Sequence, residues 1–457
     1  MIPVAGPPRD ATLPSPAERV LDNGLRVVAF SERNLPLIAA QLILGCGAAA
    51  EREDEAGLSA MVAALLTQGT QTRSATELAA ASDALGARLG AGSGYDASIV
   101  SAGATTPAFS HAFALLEDVV RHPAFAPAEF ERMRTRTLSD LTLTYANPSA
   151  LARAVAQRVA YGGAPYGHPT SGTAATLRAL DRERVAWFHE RFYRPDDATL
   201  VIGGDLGVDD AFALADRVLG AWRAPSFPIG ERPHGAAPPP REQVVIVDKP
   251  DAGRTALVAG RVALERRSPD YYAATVATAV LSGYSGRLNQ EIRVKRGLSY
   301  GAHASLAARR GAGTLLASTL VDHTRAAEAT EVTLATLRSL VDAPPSDEDL
   351  VARKATVTGS FFRAIETVDG IASAIGEHVV YAVPLGDMQH FAQRVESVEA
   401  SAVRDCAARA LVPDSFVVLV GDASKFAGGV AHVNGPVRTI PVDELDLGSP
   451  SLRASGP

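Results

Sequence analysis

The chain has 457 residues, 47% of them hydrophobic and 21% charged, with a net charge of -7 at pH 7. That length exceeds what a single hydrophobic core organises, so at least two domains are expected. An acidic balance with no basic stripe excludes a nucleic-acid surface, and without a run of about eighteen apolar residues no membrane insertion is expected.

The N-terminus, Met1 to Pro8, lacks the charged start and apolar stretch of a secretory signal. It reads as the beginning of a mature tail, residues 1–17. Asn23-Gly24 then lies between two apolar runs, Val20-Leu21 and Leu25 to Phe30, and predicts a type I′ hairpin because both central positions of that turn need positive φ. Leu37 to Leu44 is a β-rich run closed by Gly45-Cys46-Gly47, and a helix follows from Gly57. Pro127 opens a further helix, and Tyr193-Arg194-Pro195-Asp196 precedes a buried strand that ends on glycine. Residues 224–242 are rich in proline and small residues, which removes donors and stiffens the backbone, so they read as a linker.

Beyond the linker the landmarks return. Pro345 opens a helix as Pro127 does, and Pro413-Asp414 precedes a glycine-closed strand as Pro195-Asp196 does, each at an interval of about 218 residues. The spacing indicates two copies of one fold, residues 18–223 and 243–430, with a C-terminal tail over 431–457. Strands mixed with long helices give an α+β class, each half a mainly antiparallel sheet packed with helices. Arg287 to Arg296 reads as one helix, with Glu291 and Lys295 paired at i,i+4 and Gly297 suited to the left-handed turn that ends it; Leu298 onward reads as a strand. Cys46 and Cys406 lie far apart, in different halves, and no disulfide framework is expected.

The stretch Gly57-Leu58-Ser59-Ala60-Met61-Val62-Ala63-Ala64, closed by Gly69-Thr70, resembles the signature helix of the insulinase and pitrilysin-type metallopeptidases, the inverzincins. In that family Gly-Leu-Ala is followed by His-x-x-Glu-His. Here the three chemical positions read Ala60, Ala63 and Ala64. Two imidazoles one helical turn apart would hold zinc and the glutamate would act as general base; a methyl group can do neither. The family's third ligand, a glutamate on a later helix, falls near Asp140, which keeps a carboxylate but has no imidazole partners and reads as a helix-surface acid.

The resemblance runs from about Glu18 to Ser424 and includes the Asn-Gly-Leu hairpin, Tyr161 to Pro169, the Tyr-Arg-Pro strand and the linker. It points to the bacterial and mitochondrial processing-peptidase branch, in which two homologous halves form half of a clamshell chamber and a second subunit completes it. Leu281 to Tyr300 resembles the family segment ending Lys-Arg-Gly-Leu-Ala-Tyr, with Arg296 and Tyr300 at its arginine and tyrosine. The resemblance implies that these two face the zinc site and grip the substrate backbone. A guanidinium and a phenol are suited to that task, since both donate to a carbonyl oxygen gaining charge.

The ten histidines include no His-x-x-Glu-His, no His-Glu-x-x-His and no pair one helical turn apart, and neither a phosphate loop nor a Gly-x-Ser-x-Gly elbow occurs. The expectation is therefore a subunit without a cofactor of its own, inactive alone. Zinc is expected in a homologous partner, and unstructured peptides are the expected substrates. The alternative is a scaffold or peptide-binding subunit of a larger complex; Leu281 to Gly286 is too short to be the glycine-rich loop of substrate-capturing relatives. Heavy use of Ala, Arg and Pro resembles a high-GC bacterium, and bacterial pairs of this kind are often exported, so the periplasm is expected ahead of the cytoplasm.

Overall fold

The structure, a computed structural model, describes residues 13–229 and 244–454. Most of the anticipated N-terminal tail, and the linker from residue 230 onward, lie outside these residues.

The first half forms a six-stranded sheet from β1 (Ala17–Val20), β2 (Arg26–Ser31), β3 (Leu37–Leu44), β4 (Arg88–Ser93), β5 (Ser98–Thr105) and β6 (Ala198–Gly204), in the order β1-β2-β6-β3-β5-β4. The second half repeats it with β7 (Val244–Asp248), β8 (Thr255–Val262), β9 (Ala302–Ala307), β10 (Thr314–Val321), β11 (Phe416–Gly421) and β12 (Val437–Pro441), ordered β12-β7-β11-β8-β10-β9. Most neighbours are antiparallel; β2 with β6, and β7 with both β11 and β12, are parallel. Strands β2, β3 and β6 start at residues 26, 37 and 198, and β7, β8 and β11 at 244, 255 and 416, so the offset is 218 each time. The repeat read from two pairs of prolines extends through the sheet. Central strands β6 and β11 are buried along their whole length, which is why both are unbroken apolar runs and not alternating ones.

The first hairpin differs from the type I′ turn. Five residues, 21–25, link the strands: the Leu21 amide donates to the Leu25 carbonyl and the Gly24 amide to the Leu21 carbonyl, both at 2.9 Å, and only Gly24 has positive φ, 90°. A long-range role of Asn23 accounts for the change. Its Nδ2 donates to the carbonyls of Leu219 and Trp222, closing the end of a distant helix.

Helices of the first half are α1 (Leu58–Leu66), α2 (Ala75–Ala84), α3 (Thr106–Arg121), α4 (Pro127–Ala146), α5 (Pro148–Tyr161), α6 (Ala174–Ala179), α7 (Arg182–Phe192) and α8 (Val208–Leu219). The second half contributes α9 (Tyr271–Leu281), α10 (Ala326–Asp342), α11 (Asp347–Ala364) and α12 (Val368–Val380). Prolines 127 and 148 occupy first-turn positions, where a missing amide costs nothing. Most helices cover one face of their own sheet, but α5 and α12 are exchanged. Leu151, Ala152, Val155 and Ala156 of α5 are buried with Val245, Val247, Val258 and Val418 of the second sheet. Val368, Ile371, Ala372 and Ile375 of α12 are buried with Val28, Phe30, Ile43 and Val201 of the first. Each large apolar side chain buried this way contributes about 1.5–3 kcal/mol, so each sheet depends on a helix from the other half.

The residues expected to form a C-terminal tail are part of this shared core. β12 completes the second sheet, and Ile440, Leu445, Leu447 and Leu452 are buried with α5. Arg158 of α5, only 1% exposed, donates from Nε and Nη2 to the Leu447 carbonyl at 3.0 and 2.6 Å. The apolar residues of this segment are scattered among Pro, Gly and Asp without a helical or strand period, so local pattern carried no signal for their burial.

Candidate functional site

Helix α1 is set by a glycine turn and a side-chain cap. Gly57, at φ 95°, turns the chain into the helix, and a Cβ there would come within 2.9 Å of the Gly172 backbone. Glu51 supplies the cap: its Oε2 accepts from the Gly57 amide at 2.9 Å and its Oε1 from the Ser59 amide at 2.6 Å. A carboxylate there satisfies amides the helix leaves open and complements the positive end of its dipole. His168 closes over Glu51, with Nε2 donating to the Ala48 carbonyl at 2.9 Å and lying 3.4 Å from Glu51 Oε2. Arg158 and Arg184 clasp Glu53 and Glu55 just before the helix, both at 2.6 Å.

Ala60, Ala63 and Ala64 all lie on α1. Ala63 is buried at 1% exposure, and Ala60 and Ala64, one turn apart, are half-buried. Asp140 is exposed on α4, where its carbonyl accepts from Thr144 Oγ1 at 3.1 Å. Among the described residues no group of three or more His, Cys, Asp or Glu could hold a metal. Methyl groups offer no lone pairs, so the donor set at α1 does not fit zinc.

The second half presents the other candidate segment. After α9 the chain turns through residues 282–286 and becomes helical from Arg287, with Asn289–Val294 in π-helical form. The helix expected to reach Arg296 therefore ends two residues earlier, and Gly297, at φ 59°, follows in the left-handed turn. The strand expected from Leu298 starts at Ala302. Side chains, not a ladder, hold residues 298–301. Asn289 accepts from the Ala302 amide at 2.9 Å and donates to the Gly283 carbonyl at 2.8 Å, while Ser299 Oγ donates to the Leu320 carbonyl at 2.8 Å. The Leu298 amide reaches back to the Ile292 carbonyl at 2.8 Å and its side chain is buried. Wide π turns of this kind recur at functional segments.

Arg296 and Tyr300 have different partners in this chain. Arg296 Nη1 donates to Glu291 Oε2 at 2.5 Å and to the Glu291 carbonyl at 3.0 Å. Lys295 Nζ donates to Glu291 Oε1 at 2.6 Å, and the bonds from Lys295 and Arg296 hold the Glu291 carboxyl below its usual range. Tyr300 is 80% exposed, and the Arg254 guanidinium lies 5.2 Å from its ring centroid. Arg296 and Glu291 also border a cavity of about 460 Å³ against α10. Arg287 is fixed there, with Nη1 donating to the carbonyls of Ser339 and Ala343, both at 2.8 Å.

Sequence reasoning missed Glu51, Asn289 and Arg254. Glu51 caps a helix that begins seven residues later, so no capping-box spacing marks it. The partners of Asn289 and Arg254 come from across a loop and from another strand connection, and neither leaves a local signal. Cys46 and Cys406 are both buried and not disulfide-bonded; burial pushes the Cys406 thiol up to about 12. No described helix is long and apolar enough to cross a membrane.

Residues 26–174 match the family model described as Insulinase (Peptidase family M16), and residues 179–357 match Peptidase M16 inactive domain. Among curated proteins, the chain is 25% identical to an uncharacterized zinc protease of Mycobacterium leprae over 83% of this chain and 85% of that protein. It is 24% identical to one of Mycobacterium tuberculosis over 96% and 98%, and 20% identical to one of Bacillus subtilis over 87% and 96%. Among solved structures it is similar to a peptidase M16 inactive domain from Pseudomonas fluorescens, with a TM-score of 0.83 and 22% identity, covering 89% of this chain and 98% of that one. A protease from Helicobacter pylori gives 0.83 and 17%, covering 90% and 100%. With both halves matched, the repeated sheets shared with those structures, and a signature helix kept in shape but emptied of its ligands, the chain belongs to the M16, or insulinase, family of peptidases.

Proposed function

We propose that this chain is the zinc-free subunit of a two-subunit M16 peptidase, pairing with a homologue that carries His-x-x-Glu-His and lending Arg296 and Tyr300 to that partner's site. The observation that carries the reading is an asymmetry. Helix α1 keeps its Gly57 turn and Glu51 cap but has methyls at its chemical positions, whereas the Arg296–Tyr300 segment is braced by Asn289 and Ser299 and presents an exposed phenol.

In this reading the two halves form one side of a chamber that admits unstructured peptides. The partner's zinc supplies Lewis-acid activation of the attacked carbonyl and its water. The residues of this chain act on the substrate. The Arg296 guanidinium, freed from Glu291, and the Tyr300 hydroxyl donate to the peptide carbonyl oxygens beside the scissile bond, holding the backbone extended and stabilising negative charge as it develops. We place the pair in the bacterial periplasm.

The test is reconstitution. The purified chain should hold no stoichiometric zinc and cleave no peptide, and activity should appear on mixing with the zinc-bearing homologue. Arg296→Ala and Tyr300→Phe should each lower kcat/KM of the mixture by about 2–4 kcal/mol, roughly thirty-fold to a thousand-fold. Full activity in both variants would rule out the role assigned to these residues. A stable complex with no dependence on them would favour the scaffold alternative.

A further inference from the structure

The turn between β9 and β10 enters the first half. Tyr161 donates to the Ala312 carbonyl at 2.8 Å, and the Gly311 amide donates to the Tyr166 hydroxyl at 3.0 Å. Arg310 donates from Nε and Nη2 to the Val380 carbonyl at the end of α12, at 3.0 and 2.8 Å. Beside this junction opens a cavity of about 640 Å³, walled by the β4–β5 connection, the open face of β5 and one side of α12. No residue of α1 or of the segment 281–300 lines it.

Three permanently or readily charged side chains line it: Asp96, Arg309 and Glu377. Two have partners. Asp96 accepts from the Tyr166 hydroxyl and from the Arg310 amide, and Glu377 accepts from Arg266 Nε at 3.0 Å. Arg309 has none of this kind. Its guanidinium rests on aromatic rings, 4.2 Å from the centroid of Tyr95, 5.1 Å from Tyr166 and 5.8 Å from Tyr161. Its Nη1 is buried without a hydrogen-bond partner, and among the described residues no carboxylate is within ion-pair distance. Burial pushes all three phenols up, so none of them supplies a negative charge near neutral pH.

Nη1 is sealed behind the cavity wall, so the donors Arg309 keeps for a ligand are Nε and Nη2, which have no hydrogen-bond partner among the described residues. The group that fits two parallel N–H donors is a carboxylate. We propose that this cavity binds the C-terminal carboxylate of a short peptide, anchored on Arg309. Its size is that of a site for a ligand much larger than a free two-carbon acid. Ile99 and Val380 offer an apolar wall for a terminal side chain, and the hydroxyls of Ser101 and Tyr381 are available to a peptide backbone. Contacts with the Tyr95 and Tyr166 rings limit the movement of the Arg309 guanidinium. The site belongs to the chain alone and does not depend on the partner proposed above.

Isothermal titration calorimetry of the full chain with tri-alanine, tri-alanine amide and acetate tests this. Tri-alanine is expected to bind saturably in the millimolar range or tighter, with the amide and the Arg309→Gln variant each at least about tenfold weaker. Ser373→Trp fills the cavity from α12 and leaves Arg309 in place; it should also abolish binding while thermal melting stays two-state. Equal binding of acid and amide, no binding at about 10 mM, or unchanged binding to a folded Arg309→Gln chain overturns the proposal. Acetate binding as tightly as tri-alanine overturns the peptide assignment. If Arg309→Gln does not fold, unchanged binding to Ser373→Trp overturns it alone.

Discussion

Arg296 is held by Glu291 twice, through the carboxylate Oε2 at 2.5 Å and through the main-chain carbonyl at 3.0 Å. The residue proposed to reach into a partner's site is thus parked against its own helical turn. Both side chains are about a third exposed, so this clamp is worth no more than about 1 kcal/mol. Glu291→Gln weakens it and should lower KM of the reconstituted enzyme by up to about fivefold, with kcat little changed. Because the Glu291 carboxyl is held below its usual range, the clamp is complete above that range and is lost as pH falls through the lowered value. The difference between wild type and variant should therefore vanish in acid.

The exchange of α5 and α12 predicts that neither half is stable alone. Separately expressed first half leaves Leu151, Val155 and Ala156 without the second sheet, and its own sheet without Ile371 and Ile375. Each isolated half should lack dispersed amide NMR resonances, whereas co-expressed halves cut between residues 230 and 243 should co-purify as a folded complex. In the intact chain, Ile375→Ala should cost about 2–5 kcal/mol in denaturant unfolding, since the cavity it leaves is enclosed on both sides.

Arg158 joins the loop before α1 to the C-terminal segment, bonding Glu53 at 2.6 Å and the Leu447 carbonyl at 3.0 and 2.6 Å. Replacement by methionine keeps the bulk but leaves the buried carbonyl unsatisfied. Arg158→Met should cost about 3 kcal/mol, and limited proteolysis should cut first beyond β12.

His189 gives an acid-sensitive point. Burial between Phe125 and Tyr193 pushes its pKa from 6.5 to about 4, while its Nε2 donates to the Val120 carbonyl at 2.7 Å. The unfolded chain binds the proton first, so stability is whole above pH 6.5 and falls as pH drops toward 4. The loss is on the order of 3 kcal/mol across that window. The unfolding free energies from urea titration at pH 7.5 and 4.5 should converge by most of that amount in His189→Gln, which keeps a donor but does not titrate.

Much of the architecture could be read before any coordinates. Prolines spaced by about 218 residues marked a duplication because proline and Pro-Asp turns are local devices that each copy needs in the same place. The emptied helix was equally legible, since chemical identity at Ala60, Ala63 and Ala64 is a property of residues, not of packing. What local pattern could not give was who covers whom. The apolar stripe of α5 is the same whether it meets its own sheet or the other one, and the C-terminal leucines have no period at all.

Sequence by itself therefore determined the duplication, the α+β class and the absence of metal ligands at the signature helix, because each is written in residue type and short-range spacing. Tertiary structure alone decided the exchange of helices, the clamp of Glu291 on Arg296 and the open guanidinium of Arg309, because each depends on groups brought together by chain closure from separate elements. Burial and hydrogen-bond satisfaction are properties of an assembled neighbourhood, and no single segment carries them.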